Sequence, residues 1–162
     1  MASSYDPVYK VNPPLRTESD VHALREALAD GTIDIVATDH APHPLESKEC
    51  EWQEAAFGML GLETALSIVQ KTMVDSGLMS WNQVAERMSY APARIGGYEE
   101  QGQEISKGSF ANLVVINPTK SWRVDRDLVL SNSSNTPYHG HDLPGFVAVS
   151  YTHLTLPTKR IV

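Results

Sequence analysis

A short apolar segment, residues 33–37, most constrains how this chain can fold. The segment is short, rich in β-branched residues and followed by a loop that contains prolines, a pattern typical of a buried strand. Upstream, Thr17 and Asp20 have the spacing of a helix capping box, and Gly31 ends the helical periodicity. Helix, short loop, apolar strand and long loop in this order predict one repeat of a parallel α/β fold.

Two further helices are predicted in the middle of the chain. Apolar residues recur at helical spacing over residues 61–76, and Ser80 with Gln83 can cap another helix that ends near Pro92. Met73, Trp81 and Met88 are expected to pack in the core of this region.

Beyond residue 97 the pattern changes to short strands and turns. Residues 113–116 and 122–124 are predicted strands, and Asn117 with Pro118 is the predicted turn between them. The polar, acidic stretch at residues 44–55 is a long loop, and its place after Asp39 favours a rim or lid over a site.

Composition excludes several classes of protein. The 162 residues carry a formal net charge of −7, which argues against a nucleic-acid partner because such a partner requires a clustered basic face. Cys50 is the single cysteine, so no intrachain disulfide is expected and nothing indicates an oxidising compartment. No apolar run is long enough for a membrane span, and we expect a cytoplasmic protein.

The chemically richest segment is Ala37-Thr38-Asp39-His40-Ala41-Pro42-His43. The carboxyl ends of strands in α/β folds collect reacting groups, and the predicted strand delivers Asp39 to such an end. A carboxylate can bind a cation or move a proton, and imidazoles can bind metal or hold an anion. On the residues alone, a loop carboxylate with structural histidines remains an open alternative.

Residues 37–43 resemble the signature loop of the bacterial type I dihydroorotases, which are zinc enzymes of the amidohydrolase superfamily. Three other segments resemble the same family in the same order: residues 9–16 (Tyr-Lys-Val-Asn-Pro-Pro-Leu-Arg), 57–63 (Phe-Gly-Met-Leu-Gly-Leu-Glu) and 134–138 (Ser-Asn-Thr-Pro-Tyr). The resemblance extends from about Ser4 to Val147. It is far more specific than any one motif.

The resemblance implies a (β/α)₈ TIM barrel with a small β-sandwich, an α/β metal-dependent hydrolase. A barrel alone needs about 250 residues, so this chain is expected to be a carboxyl-terminal part of such an enzyme. We expect residues 1–96 to belong to the barrel and residues 97–147 to the β-sandwich. Residues 148–162 do not resemble the usual ending of the family and are expected to be a non-native tail.

The resemblance also assigns a site. It implies that Asp39 is both proton shuttle and metal ligand, that Asn12 and His43 contact the substrate, and that the backbone at Phe57 and Gly58 closes over the substrate ring. The family uses two Zn²⁺ ions, and its other ligands, an early His-x-His pair, a carboxylated Lys and two further His, are expected upstream of Met1.

The expected reaction is the reversible cyclisation of N-carbamoyl-L-aspartate to (S)-dihydroorotate, in pyrimidine biosynthesis. The chain alone is expected to be inactive. Two alternatives remain open: a cyclic amidase of the hydantoinase or allantoinase type, and a non-catalytic dihydroorotase-like subunit that scaffolds aspartate transcarbamoylase. For the complete enzyme, a homo-oligomer or an association with aspartate transcarbamoylase remains open, and no nucleic acid or membrane partner is expected.

Overall fold

A computed structural model describes residues 4–151 of the chain. Over these residues it contains four α-helices and two strands: α1 (Glu18–Asp30), α2 (Ala65–Val69), α3 (Trp81–Ala85), α4 (Ala91–Gly96), β1 (Leu113–Arg123) and β2 (Asp142–Tyr151). Short 3₁₀ turns lie at Pro7–Tyr9 and Leu45–Ser47. The expected tail begins inside β2, and its residues 152–162 lie outside the described part of the chain.

Both predicted capping boxes are confirmed. The Thr17 hydroxyl accepts the backbone N–H of Asp20, and the Asp20 carboxylate accepts the N–H of Thr17, so α1 begins where its sequence requires. Ser80 and Gln83 make the same reciprocal pair at the start of α3. Gly31 ends α1 with a φ of 96°, a left-handed conformation that favours glycine.

The two later helices differ from their predicted outlines. Each contains a π-helical turn: Gln70–Val74 continues α2, and Glu86–Tyr90 joins α3 to α4. Pro92 does not end the helix but lies in the first turn of α4, where a missing N–H costs no intrahelical bond. The helical path therefore runs on to Gly96.

The apolar segment at residues 33–37 is not a strand in the structure. Within residues 4–151 no neighbouring strand pairs with it, and the N–H of Val36 donates instead to the carbonyl of Arg87 at 3.1 Å. β-branched residues favour extended backbone, but a ladder requires a partner strand. The prediction of a buried strand is therefore wrong for this chain, and Ile33, Ile35 and Val36 are half-buried.

The two short strands predicted after residue 97 are one continuous, bulged strand. β1 pairs antiparallel with β2, and the register shifts between Asn117 and Ser121. The Asn117 side chain accepts the N–H groups of Thr119 and Lys120 at 3.1 Å, which forms a local turn inside the strand. Over the described residues the structure thus shows a two-stranded sheet here.

The core lies between the helices. Val69, Met73, Met79 and Val84 are buried together, and Trp81 and Met88 pack against them as predicted. The sheet is attached to α2 through Ser67, whose hydroxyl accepts from Trp122 Nε1 and donates to the Gly145 carbonyl, both at 3.0 Å. Helices and sheet therefore share one packed unit.

Candidate functional site

Asp39 follows the apolar segment at residues 33–37 and has an unusual backbone conformation. Its φ is 44°, in the left-handed region that costs a non-glycine residue about 1–3 kcal/mol. The residue is exposed, and its carboxylate makes no hydrogen bond with any other described residue. Strain of this kind is concentrated at functional sites, and the carboxylate is available for a cation or a proton.

The loop after Asp39 lies parallel to the chain around Met59. His40 and Met59 form an isolated parallel bridge, and the N–H of Ala41 donates to the Met59 carbonyl at 3.0 Å. His40 Nδ1 accepts the N–H groups of Gly61 and Leu62, both at 3.2 Å. His40 therefore holds the two loops together.

The predicted substrate residues His43, Phe57 and Gly58 are in direct contact. His43 Nε2 donates to the Phe57 carbonyl at 2.8 Å, which leaves Nδ1 as the ring nitrogen for a ligand. Gly58 has a φ of 138°, and a Cβ there would lie 2.6 Å from Ala41 Cβ and 2.9 Å from His43 Nε2. Only glycine fits where these two loops meet.

Two buried lysines fix the loop that was predicted to be a rim or lid. Lys48 Nζ donates to the carbonyls of Ala56 and Gly58, both at 2.9 Å. Lys10 Nζ donates to the carbonyls of Trp52 and Gln53 at 2.8 and 3.0 Å. Burial, and secondly the nearby charge of Lys10, lowers the pKa of the Lys48 ammonium.

Sequence reasoning gave these lysines no role. A lysine is normally exposed, and no local pattern predicts that Lys48 bonds carbonyls eight and ten positions away or that Lys10 bonds carbonyls more than forty positions away. Asn135 was likewise noted only as part of a segment of resemblance. It is buried, and it contacts both site loops: His43 N–H donates to its Oδ1 at 3.2 Å, and its Nδ2 donates to the carbonyls of Ala41 and Gly58 at 2.9 and 3.4 Å.

A cavity of about 340 Å³ adjoins His43. Its lining includes Lys48, Asn135 and residues of the connection from β1 to β2. Of the five predicted site residues His43 lines this cavity, and Asp39, Asn12, Phe57 and Gly58 do not. His43 contacts Phe57 and Gly58, whereas the side chains of Asp39 and Asn12 make no hydrogen bond with them.

Asn12 is exposed, and its side chain makes no hydrogen bond within residues 4–151. Arg16 forms a surface ion pair with Asp20 at 3.5 Å beside the start of α1. His139 and His141 line the cavity, and His139 Nδ1 accepts the N–H of Arg126 at 3.1 Å.

The described residues do not complete a metal site. Over residues 4–151 no three His, Cys, Asp or Glu side chains lie close enough together to hold a metal ion. A stable zinc site generally requires three or four protein ligands. Asp39 can therefore supply at most one ligand of a centre completed by other residues.

No helix among the described residues is long and apolar enough to cross a bilayer.

The sequence profile of the amidohydrolase family matches residues 11–141, so the chain belongs to that family. It is 62% identical to a dihydroorotase of Streptomyces coelicolor over 98% of this chain and 36% of the relative. It is 50% identical to the dihydroorotase of Mycobacterium tuberculosis over 91% of this chain and 34% of that protein. The chain thus spans about a third of the length of these relatives.

Solved structures support the same fold. The chain superimposes on an L-hydantoinase (dihydropyrimidinase) from Arthrobacter aurescens with a TM-score of 0.87 and 32% identity, over 95% of this chain and 35% of that one. A D-hydantoinase from a Thermus species gives a TM-score of 0.81 at 25% identity, over 91% of this chain and 33% of the other. The segment therefore has the amidohydrolase superfamily fold.

Proposed function

We propose that this chain is part of a dihydroorotase, which interconverts N-carbamoyl-L-aspartate and (S)-dihydroorotate. The observation that carries the proposal is the 62% identity to a dihydroorotase over 98% of the chain, because it includes every segment of the site. We further propose that residues 1–96 belong to a (β/α)₈ barrel and residues 97–147 to a small β-sandwich.

Asp39 is the proposed proton-transfer group. Its exposed carboxylate can accept a proton from the attacking water and return it to the ring nitrogen when the amide bond breaks. The family's Zn²⁺ ions would polarise the amide carbonyl and acidify water, with Asp39 as one of their ligands.

Substrate binding is assigned to the other predicted residues. His43 Nδ1 faces no protein partner in the described chain, so it can contact the substrate carboxylate. The Asn12 amide can both donate and accept, which suits a ureido group or a ring amide. Phe57 and Gly58 present backbone close to His43, where the glycine permits close approach of a planar ring.

A cyclic amidase of the hydantoinase type is the second candidate. The superposition on the Arthrobacter aurescens L-hydantoinase favours it, at a TM-score of 0.87, although the 32% identity is half that to the dihydroorotase. Both reactions open a cyclic amide, so the fold alone does not choose between them.

The test uses a hybrid enzyme, in which this chain replaces the aligned segment of the Streptomyces coelicolor relative. The hybrid is purified, its zinc content is measured, and its rates with dihydroorotate and hydantoin are compared. The proposal predicts that dihydroorotate is strongly preferred. A zinc-loaded hybrid that prefers hydantoin, or that hydrolyses neither compound, contradicts it.

A further inference from the structure

Asn135 lies on the connection between β1 and β2, far in sequence from the two loops that it contacts. It is 92 positions from His43 and 77 from Gly58, and its exposed fraction is 7%. The connection returns to the sheet through Val124, which bonds His141 and Gly140 at 2.9 and 2.8 Å. Asn135 is therefore held on a fixed part of the fold.

The Asn135 side chain uses both ends of its amide. Nδ2 donates to the carbonyl of Ala41 at 2.9 Å and more weakly to that of Gly58 at 3.4 Å, while Oδ1 accepts the N–H of His43. The Asn135 backbone carbonyl accepts the N–H of Leu60 at 3.1 Å. One residue thus bonds the loop before His43 and the loop after Phe57.

These bonds require an amide. A carboxylate in this place offers no donor to the Ala41 and Gly58 carbonyls, and an apolar side chain leaves buried backbone groups without partners. The loops also bond each other directly, through Ala41–Met59, His43–Phe57 and the two bonds that His40 Nδ1 accepts from Gly61 and Leu62. Asn135 adds bonds from a third segment at His43 and Gly58, so the spacing of these two residues depends on Asn135 as well.

We infer that Asn135 is a positioning residue, which sets the distance between His43 and the Phe57–Gly58 backbone and so acts on substrate binding without touching substrate. The inference rests on the proposed function, in which those groups bind the substrate. Misplacement of a binding group by about 1 Å can lower the catalytic efficiency by about 100-fold, so a residue that sets the position of such a group has a measurable effect.

The experiment uses the hybrid enzyme with Asn135→Ala and Asn135→Asp, and Asn132→Ala as matched control. Asn132 is the same residue type in the same connection but is exposed. The first measurement is KM and kcat for dihydroorotate, with zinc content. We expect Asn135→Ala to raise KM by about 10- to 100-fold with unchanged zinc, and Asn132→Ala to change neither.

A double-mutant cycle separates positioning from a general structural effect. If Asn135 acts through His43, then Asn135→Ala should cost less than about threefold in kcat/KM when His43 is already alanine. Full additivity of the two substitutions, loss of zinc, or a KM equal to that of Asn132→Ala overturns the inference. If the alanine variant does not fold, Asn135→Asp, which keeps the size of the side chain, is measured instead and judged by the same criteria.

Amide hydrogen exchange at His43 provides a readout that does not depend on turnover. Asn135→Ala should accelerate exchange of the His43 N–H, whereas Asn135→Asp, which keeps an acceptor, should not. Unchanged exchange in the alanine variant contradicts the inference that Asn135 positions His43. A hybrid without dihydroorotate turnover would refute the proposed function, while this exchange measurement would still decide the role of Asn135.

Discussion

Gly58→Ala tests the geometry where the two site loops meet. The new Cβ would lie 2.6 Å from Ala41 Cβ and 2.9 Å from His43 Nε2, at a φ of 138° that side chains rarely adopt. The backbone conformation costs about 1–3 kcal/mol, and forcing a methyl group into packed surroundings costs about 1–3 kcal/mol more. We therefore expect the free energy of unfolding of the hybrid enzyme to fall by about 2–6 kcal/mol.

Gly77→Ala is the matched control for the backbone contribution. Gly77 has a φ of 78°, but no atom lies within 4 Å of its added Cβ. Gly77→Ala should lower the free energy of unfolding by about 1–2 kcal/mol and leave KM unchanged, because the substitution affects backbone conformation alone and is remote from the site. Gly58→Ala, in contrast, displaces His43 and should raise KM at least about tenfold.

Urea unfolding and steady-state kinetics of the two variants provide the measurement. The reasoning predicts that Gly58→Ala is the less stable variant by about 1–4 kcal/mol and the one with altered KM. Equal stability of the two variants, together with an unchanged KM for Gly58→Ala, would refute the argument that the loops meet too closely for a side chain.

Three further predictions concern substrate binding, buried charge and the isolated chain. Asn12→Ala and His43→Ala in the hybrid should raise KM or lower kcat/KM at constant zinc content, and loss of zinc in either variant would exclude that residue from the substrate site. Because the folded-state pKa of Lys48 is lowered, the unfolded chain holds more protons between that pKa and 10.5, so stability rises with pH there. Lys48→Met should remove this rise in urea unfolding and exposed Lys71→Met should not; equal slopes in the two variants would contradict the assignment. The 162-residue chain alone should show no dihydroorotate hydrolysis and no stoichiometric zinc after dialysis, and clear activity with bound zinc would show that its metal ligands are misassigned.

Local signals in the sequence predicted local structure well. The capping boxes at Thr17 and Ser80 involve residues three positions apart, so the sequence alone contains all the atoms that form them. Gly31 as a helix end follows from its own conformational freedom. By contrast, the prediction that the helix ends near Pro92 is wrong, because a proline is tolerated in the first turn of a helix as readily as it ends one.

Features that depend on distant partners were not predictable. Residues 33–37 have the composition of a strand, but a strand exists through pairing, and within the described residues no strand lies beside them. Lys10 and Lys48 are buried because carbonyls from other segments surround their ammonium groups, and the local sequence contains no sign of those carbonyls. Asn135 reaches loops more than seventy positions away.

The same distinction between local signals and contacts with distant residues applies to the candidate site. Resemblance selected Asp39, Asn12, His43, Phe57 and Gly58, and the structure brings the last three into contact. The roles of all five in binding and catalysis remain predictions. The groups that hold the loops in place, Lys48 and Asn135, became apparent when the hydrogen bonds between segments were known.

The rate of the hybrid enzyme with Asp39→Asn tests the central claim most directly. Asparagine tolerates the left-handed backbone at this position, so the fold should persist while the proton-transfer group is lost. Asp34→Asn, an exposed carboxylate in the same segment, is the control. We predict that kcat for dihydroorotate falls by about 10²–10⁴-fold in Asp39→Asn and stays unchanged in Asp34→Asn. Near-parental turnover of a correctly folded Asp39→Asn enzyme would contradict the account.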